Sequence, residues 1–314
     1  MFAELMEASV VISVLAATIR IATPVLLAAL GELVAERAGV YNMGVEGTML
    51  MGAFTAYLAA SASGSLWLGV GAALMTGALA SLVFAFLVIT LRIEQIVTGL
   101  AINLLGSGLT VFWLRAAFAD ADQTPTIPLF AALPLPGLAD LPWIGPVVFQ
   151  QKALTYVALL AVPAVWFFLF RTRPGLDLRC CGENPKALDI KGHSVAARQY
   201  AAVVFGGAMA GLGGAFLTLA ASARFVPEIT NGRGWLAIVI VIAGMWRPVP
   251  VLLATLAFSF LDALQLQIQG IGITVPYQLL LAAPYVFALV VLALRRSHSG
   301  APARLGIAYR REGG

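Results

Sequence analysis

Long apolar runs recur along this chain at the length that crosses a lipid bilayer. Residues 8–34 contain two charged side chains, Arg20 and Glu32. Further runs lie near 42–62, 66–90, 95–116, 152–170, 199–221, 234–246, 249–268 and 276–294. A helix needs about 20 mostly apolar residues to cross a hydrocarbon layer of about 30 Å. The runs are continuous rather than alternating, which excludes a β-barrel. The expected fold is an all-α, polytopic transmembrane bundle of about nine spans, within a range of eight to ten, with broken or re-entrant helices. The segment 235–246, WLAIVIVIAGMW, is too brief to cross comfortably and reads as a half-helix or a re-entrant segment.

Charge placement orients the bundle. Charged residues make up 11% of the chain, against roughly 25% in soluble domains. Six of the nineteen Lys and Arg residues lie in the island Arg171–Arg198, and five Arg fall in the tail from Arg295 to Arg311. Cytoplasmic loops collect such residues, so both segments are placed inside. The stretch 116–151 has no Lys or Arg, three Asp and six Pro, and is placed outside, where Arg224 and Arg233 dissent from the rule. The expectation is a multi-pass membrane protein, N-terminus outside and C-terminus cytoplasmic, as one transmembrane domain over 1–314. Its parts are an external Pro-rich loop (117–151), a cytoplasmic loop (171–198) and a basic tail (295–314). The net charge of +4 sits in loops as topology requires, so no nucleic-acid partner is expected. The acidic N-terminus MFAELMEASVV lacks the basic region of a cleavable signal. Cys180 and Cys181 are expected to stay reduced.

Polar groups inside apolar runs are costly and mark function or packing. Arg20, mid-run, either snorkels to an interface or pairs with an acid such as Glu46. In NMGVEG (42–47), Gly44 and Gly47 permit a backbone break, with Asn42 and Glu46 beside it. The same residues would also serve as a helix N-terminus, Asn42 as cap and Glu46 against the dipole. Asn103, Ser107 and Thr110 share one helical face, as do Asp262, Gln265 and Gln269; interhelical hydrogen bonding is the alternative role. NGRGW (231–235) precedes the short run, and short Gly-interrupted segments point to transporter binding sites. Gly206, Ala210 and Gly214 form a small-residue ridge for close helix packing. No phosphate-binding GxxxxGK[ST] occurs, and His193 and His298 have no ligand spacing around them, so no metal site is expected.

Within the basic island, residues 182–190 read as a short helix. Asn184 is its N-cap, Pro185 takes the first helical position and Gly192 terminates it. Ala187, Leu188 and Ile190 would form an apolar face, rimmed by Lys186, Asp189 and Lys191. The sequence GENPKALDIKGHSVAARQYAAVVFGGAMAGLGGAFL (182–217) resembles the coupling loop and following helix of bacterial ABC-importer permeases of the branched-chain amino acid, ribose and nucleoside superfamily. GELVAERAGVYNMGVEGTMLMGAFTAY (31–57) and NGRGWLAIVIVIAGMWRPVPVLLATLAFSFLDALQ (231–265) are similar to two further signatures of its nucleoside/simple-sugar branch. The likeness covers most of residues 15–295, with Trp246-Arg247-Pro248 and the Pro-rich external segment as local departures.

The resemblance implies a single permease domain (1–314) in the bacterial cell (inner) membrane, a subunit without chemistry of its own and with no cofactor bound. ATP and Mg would be used by a cytoplasmic ABC ATPase engaging Glu183, Asn184, Pro185, Ala187, Leu188, Asp189 and Ile190. A homologous second permease and an extracellular substrate-binding protein or lipoprotein would complete the assembly. For a nucleoside, amide, carboxylate and aromatic groups are needed, and Asn42, Glu46, Asn103, Ser107, Trp235 and Gln265 are the candidates. Arg20, Gly44, Gly47 and Asp262 are assigned structural or gating roles. A simple sugar, a branched-chain amino acid, or an ion-coupled mechanism through Arg20, Glu46 and Asp262 are the competing readings.

Overall fold

A computed structural model describes residues 8–119, 124–270, 286, 289–290, 293 and 300–310. The apolar runs become helices: α1 (Ala8–Arg37), α2 (Val45–Ser63), α3 (Leu66–Ala85) and α4 (Gln95–Ala117). They are followed by α5 (Ala153–Arg171), α6 (Arg173–Glu183), α7 (Pro185–Ile190), α8 (Val195–Phe216), α9 (Arg233–Ala243) and α10 (Pro248–Gly270). Helices α3 and α8 continue through π-helical turns at Phe86–Thr90 and Leu217–Ser222. Among the described residues extended pairing is limited to one isolated bridge, Ala132 with Lys152.

The expected count of about nine spans is not supported. Six helices among the described residues have the length and hydropathy to cross a membrane: α1, α3 and α8 with its π turn, plus α4, α5 and α10. Helix α2 forms where expected, but Glu46 and its Gly, Ser and Thr residues dilute its hydropathy. Helix α9 has 11 residues, a length of about 16 Å at 1.5 Å per residue, half of what a crossing needs. The run 276–294 lies largely outside the described residues.

Helix α8 forms the axis of the bundle: 83% of its central window is buried, against 28–44% in the other five. Its small residues explain this. Gly206 faces Gly31 of α1, Gly211 faces Gly52 of α2, and Gly213 approaches Pro24 of α1. Without side chains between them, backbones come close enough for dispersion contacts to drive association in lipid. The core around it is formed by Leu26, Leu27, Leu30, Leu33, Met49, Leu50, Tyr57, Leu154 and Phe258. The peripheral helix α4 exposes Leu104, Leu105, Phe112 and Trp113, the side chains a lipid or protein neighbour would cover.

The Pro-rich segment is bound to the bundle rather than free of it. Ile127 and Phe130 donate backbone hydrogen bonds to Ala223 and Leu219, at the π-helical end of α8. The Tyr57 hydroxyl donates to the Pro125 carbonyl at 2.6 Å. At the opposite end, the basic island folds into α6 and α7, and the tail lies against it. Arg304 N–H donates to Gly182 O (2.8 Å), Gly306 N–H to Gly39 O (3.1 Å) and the Tyr309 hydroxyl to Asp189 Oδ2 (3.1 Å). Two segments that look independent in sequence thus form one platform.

Candidate functional site

The two Gly-rich interruptions meet inside the bundle. Helix α9 begins at Arg233 with Gly232 as N-cap, and glycine provides no side chain to satisfy the first amides. Those amides are instead met from α2. Gly232 N–H donates to Glu46 Oε1 at 2.8 Å, and Gly234 N–H to Glu46 Oε2 at 2.6 Å. A carboxylate at a helix N-terminus accepts otherwise unpaired donors and sits at the positive end of the helix dipole. The approach requires glycine: a Cβ on Gly234 would lie 2.6 Å from Glu46 Cα. Glu46 is therefore the cap of a helix 186 residues downstream.

The first interruption is tied down with equal economy. Helix α2 starts after Gly44, whose own N–H donates to Asn42 Oδ1 at 3.0 Å. Asn42 is not the helix N-cap; it closes a turn two residues earlier, and its N–H donates to Glu32 Oε1 at 2.9 Å. From α4, Asn103 bridges the break, accepting from Gly47 N–H and donating to Met43 O, both at 2.8 Å. Gly47 permits this contact, since a Cβ there would fall 2.6 Å from Asn103 Cα. One turn along α4, Ser107 donates to Glu228 in the segment leading to Asn231-Gly232.

Asn42, Glu46, Asn103, Ser107 and the backbone before Trp235 thus belong to one hydrogen-bonded network across α2, α4 and the start of α9. Trp235 is half-buried beside it. Gln265 on α10 is buried but makes no side-chain hydrogen bond among the described residues. Asp262, on the same helix, lies within electrostatic range of Arg233. Arg20 does not pair with Glu46, whose oxygens are already engaged; it is exposed and has no ion-pair partner among the described residues.

Several members were not singled out by sequence. Glu32 and Glu36 lie one turn apart on α1 and are fully buried. Glu36 accepts from Trp246 Nε1, and Arg37 Nε donates to the Trp246 carbonyl at 2.9 Å. Together they join the end of α1 to the turn after α9. An acid pair at i, i+4 close to a span end was the available signal, whereas Glu228 and Gln95, which accepts from Tyr41 N–H at 2.7 Å, gave none.

Helix α7 forms with the expected cap, Asn184 Oδ1 accepting from Ala187 N–H at 3.2 Å and Pro185 in the first position. Its apolar residues divide differently from the expectation. Pro185 and Leu188, three apart, are buried in the bundle, and Leu188 is only 2% exposed. Ile190 lies 77% exposed on the other side. The periodicity of a six-residue helix is too short to separate a docking face from an anchoring one. Glu183 faces Arg37 at 3.9 Å and accepts from Ala303 N–H of the tail at 3.3 Å. Asp177 on α6 pairs with Arg198 at 2.9 Å and with His193 at 3.4 Å. Two pockets, of about 340 and 290 Å³, flank α7 and share Asp189, Ile307 and Tyr309 in their walls.

Among the described residues no cluster of three His, Cys, Asp or Glu side chains is arranged to hold a metal ion. Cys180 and Cys181 are both free thiols, Cys181 buried.

Residues 14–294 match the family described as the branched-chain amino acid transport system permease component. The putative glucose ABC transporter permease protein TsgC13 of Haloferax volcanii is 42% identical over 261 residues, 82% of this chain and 78% of its own length. The guanosine ABC transporter permease protein NupQ of Bacillus subtilis is 34% identical over 303 residues, 93% of this chain and 95% of its own. The nucleoside ABC transporter permease protein NupC of Lactococcus lactis is 35% identical over 297 residues, 91% and 93%. No solved structure matches the chain. With helices of spanning length and a family match over most of its residues, the chain belongs to the branched-chain amino acid transport system permease family and is a multi-pass ABC-transporter permease component.

Proposed function

We propose that this chain is the membrane permease of an ATP-driven importer of nucleosides and moves them by alternating access. The observation that carries the reading is the junction of two interrupted helices through Glu46, Gly232 and Gly234. Broken helices expose backbone donors and acceptors that a continuous helix hides, and they mark substrate sites in transporters. The Ser107–Glu228 pair and Trp235 lie beside that junction and offer hydroxyl, carboxylate and aromatic groups suited to ribose and a base. Asn42, Glu46 and Asn103 hold the broken ends in place, and Gln265, buried on α10, is taken as a further substrate contact. Guanosine and nucleoside permeases aligned over nine-tenths of both chains support this substrate class.

In this reading the chain pairs with a second, homologous permease. The α4 groove beside Ser107, Phe112 and Arg115 is open on one side and would be closed by that partner. A cytoplasmic ABC ATPase engages α7 and the tail, and an external binding protein or lipoprotein delivers substrate. The platform end then faces the cytoplasm and the Pro-rich end faces outward. ATP-driven closure of the ATPase moves α7, and Leu188 and Glu183 transmit the motion to α1. ATP and Mg remain with the ATPase. Discrimination is a difference in substrate affinity between outward and inward states.

A second reading, a simple sugar, is favoured by the 42% identity to a putative glucose permease. The experiment that separates them is uptake in cells expressing the complete transporter, with unlabelled nucleosides and sugars as competitors. Competition by guanosine or adenosine supports the proposal, and competition by glucose alone refutes it. Asn103→Ala and Glu46→Ala are expected to reduce uptake while assembly is retained; normal uptake in both would remove them from the site.

A further inference from the structure

At the end of the bundle opposite the coupling platform, three cations converge on one pocket of about 370 Å³: Arg20, Lys152 and Arg233. Its remaining wall is apolar, formed by Ile21, Phe216 and Leu217 with small residues of α8. The three come from separate elements: Arg20 from α1, Lys152 as the N-cap of α5, and Arg233 as the first residue of α9.

Helix geometry sets their depth. Arg20 lies 17 positions before Arg37, about 26 Å along α1 at 1.5 Å per residue. Lys152 precedes a 19-residue helix, about 28 Å long. Both distances approach the roughly 30 Å of a hydrocarbon layer, so with Arg37 and Arg171 at one interface, Arg20 and Lys152 reach the other. Arg20 and Lys152 therefore stand at headgroup level, and Arg233 joins the wall of the same pocket from the start of α9.

Among the described residues, acidic neutralisation at this pocket is incomplete. Arg20 has no hydrogen-bond or ion-pair partner among the described residues. Lys152 Nζ donates to the Ala220 carbonyl, and Arg233 Nη1 to the carbonyls of Ile229 and Thr230, all neutral acceptors. The Asp262 carboxylate is within range of Arg233 and offsets one of three charges. Burial, and then the Arg20 charge, lowers the Lys152 pKa from its usual value, as expected of cations crowded without a counter-ion. Chance snorkelling explains one such residue. It does not explain three meeting over an apolar floor on the face that membrane proteins normally keep poor in cations.

We propose that Arg20, Lys152 and Arg233 bind a phosphate group, with the adjoining glycerol or acyl portion of the ligand against Ile21, Phe216 and Leu217. The group is either the phosphodiester of an anionic phospholipid or the phosphate of a soluble monoester. The site is independent of which substrate is transported, so failure of the nucleoside reading leaves it standing.

The test uses the full-length chain in nanodiscs of phosphatidylcholine with or without phosphatidylglycerol, and native mass spectrometry of the retained lipid. Each cation near a membrane surface changes anionic-lipid binding by about fivefold. Arg20→Gln is expected to lower retained phosphatidylglycerol by about fivefold and Arg20→Lys to restore it. Glycerol 3-phosphate is titrated in parallel without phosphatidylglycerol; an Arg20-dependent thermal shift without lipid selectivity assigns the soluble source. Acetylation of Lys152 in the wild-type protein is a second readout, which phosphatidylglycerol or glycerol 3-phosphate should slow. Unselective lipid retention with no glycerol 3-phosphate shift, or unchanged Lys152 labelling, overturns the proposal.

Discussion

Replacing Glu46 by Gln removes one charge while keeping the side chain's size, and the geometry specifies the consequence. Both carboxylate oxygens accept from α9 amides, Gly232 at 2.8 Å and Gly234 at 2.6 Å. The amide retains one acceptor and turns an NH2 group toward the other N–H. One charge-assisted hydrogen bond is lost, about 1.5–3 kcal/mol, together with attraction to the helix terminus of about 0.3–2 kcal/mol. A total of about 2–5 kcal/mol is expected, local to the start of α9. Hydrogen exchange by mass spectrometry on peptides covering 229–237 is the direct assay. Opening of this segment should become at least about 30-fold more frequent, with exchange in α8 little changed. Unaltered exchange at Gly232 and Gly234 in a correctly assembled Glu46→Gln protein would refute the capping role.

Leu188→Ala should destabilise the protein by about 2–5 kcal/mol, seen as a lower Tm in detergent. Ile190→Ala should leave Tm nearly unchanged and weaken copurification of the ATPase. Trp246→Phe leaves the buried Glu36 carboxyl without its indole donor and should cost about 1–3 kcal/mol, read in the same melts. Burial, and next the neighbouring Cys180, raises the Cys181 thiol from 9.0 to about 12. Maleimide at neutral pH should therefore modify Cys180 and spare Cys181 until the protein is denatured. Between about pH 9 and 12 the unfolded chain loses the Cys181 proton and the folded chain keeps it, so this thiol's contribution to stability falls as pH rises. Cys181→Ala should flatten that part of the pH–stability curve.

Helix positions were legible because a continuous apolar run in lipid has few alternatives to a helix. Asn184, Pro185 and Gly192 announced α7 through local rules of capping and φ preference, and Gly192 indeed takes φ +81°. Both broken segments were visible as glycine clusters. Their meeting was not, because the Glu46 hydrogen bonds span 186 and 188 positions and no local pattern encodes such a contact. Glu46 looked like a residue for substrate or for its own helix, and its carboxylate caps another helix. Span count failed where composition is borderline: α2 is helical without being apolar enough, and the segment of α9, already read as short, was still kept in the count. Leu188 was misread because inward and outward faces of a short helix look alike until a bundle is placed against one of them. The tail's contact with Gly39, Gly182 and Asp189 runs largely through backbone groups, which every sequence possesses.

Nucleoside transport through this permease is proposed to run at the expense of ATP hydrolysed by a partner. Proteoliposomes holding the complete transporter, with the external binding protein supplied, test it through labelled guanosine uptake with and without ATP, and with and without a protonophore. Uptake should require ATP, survive the protonophore and be lost when the ATPase is omitted. Guanosine uptake that proceeds without the ATPase and collapses with the protonophore would contradict it.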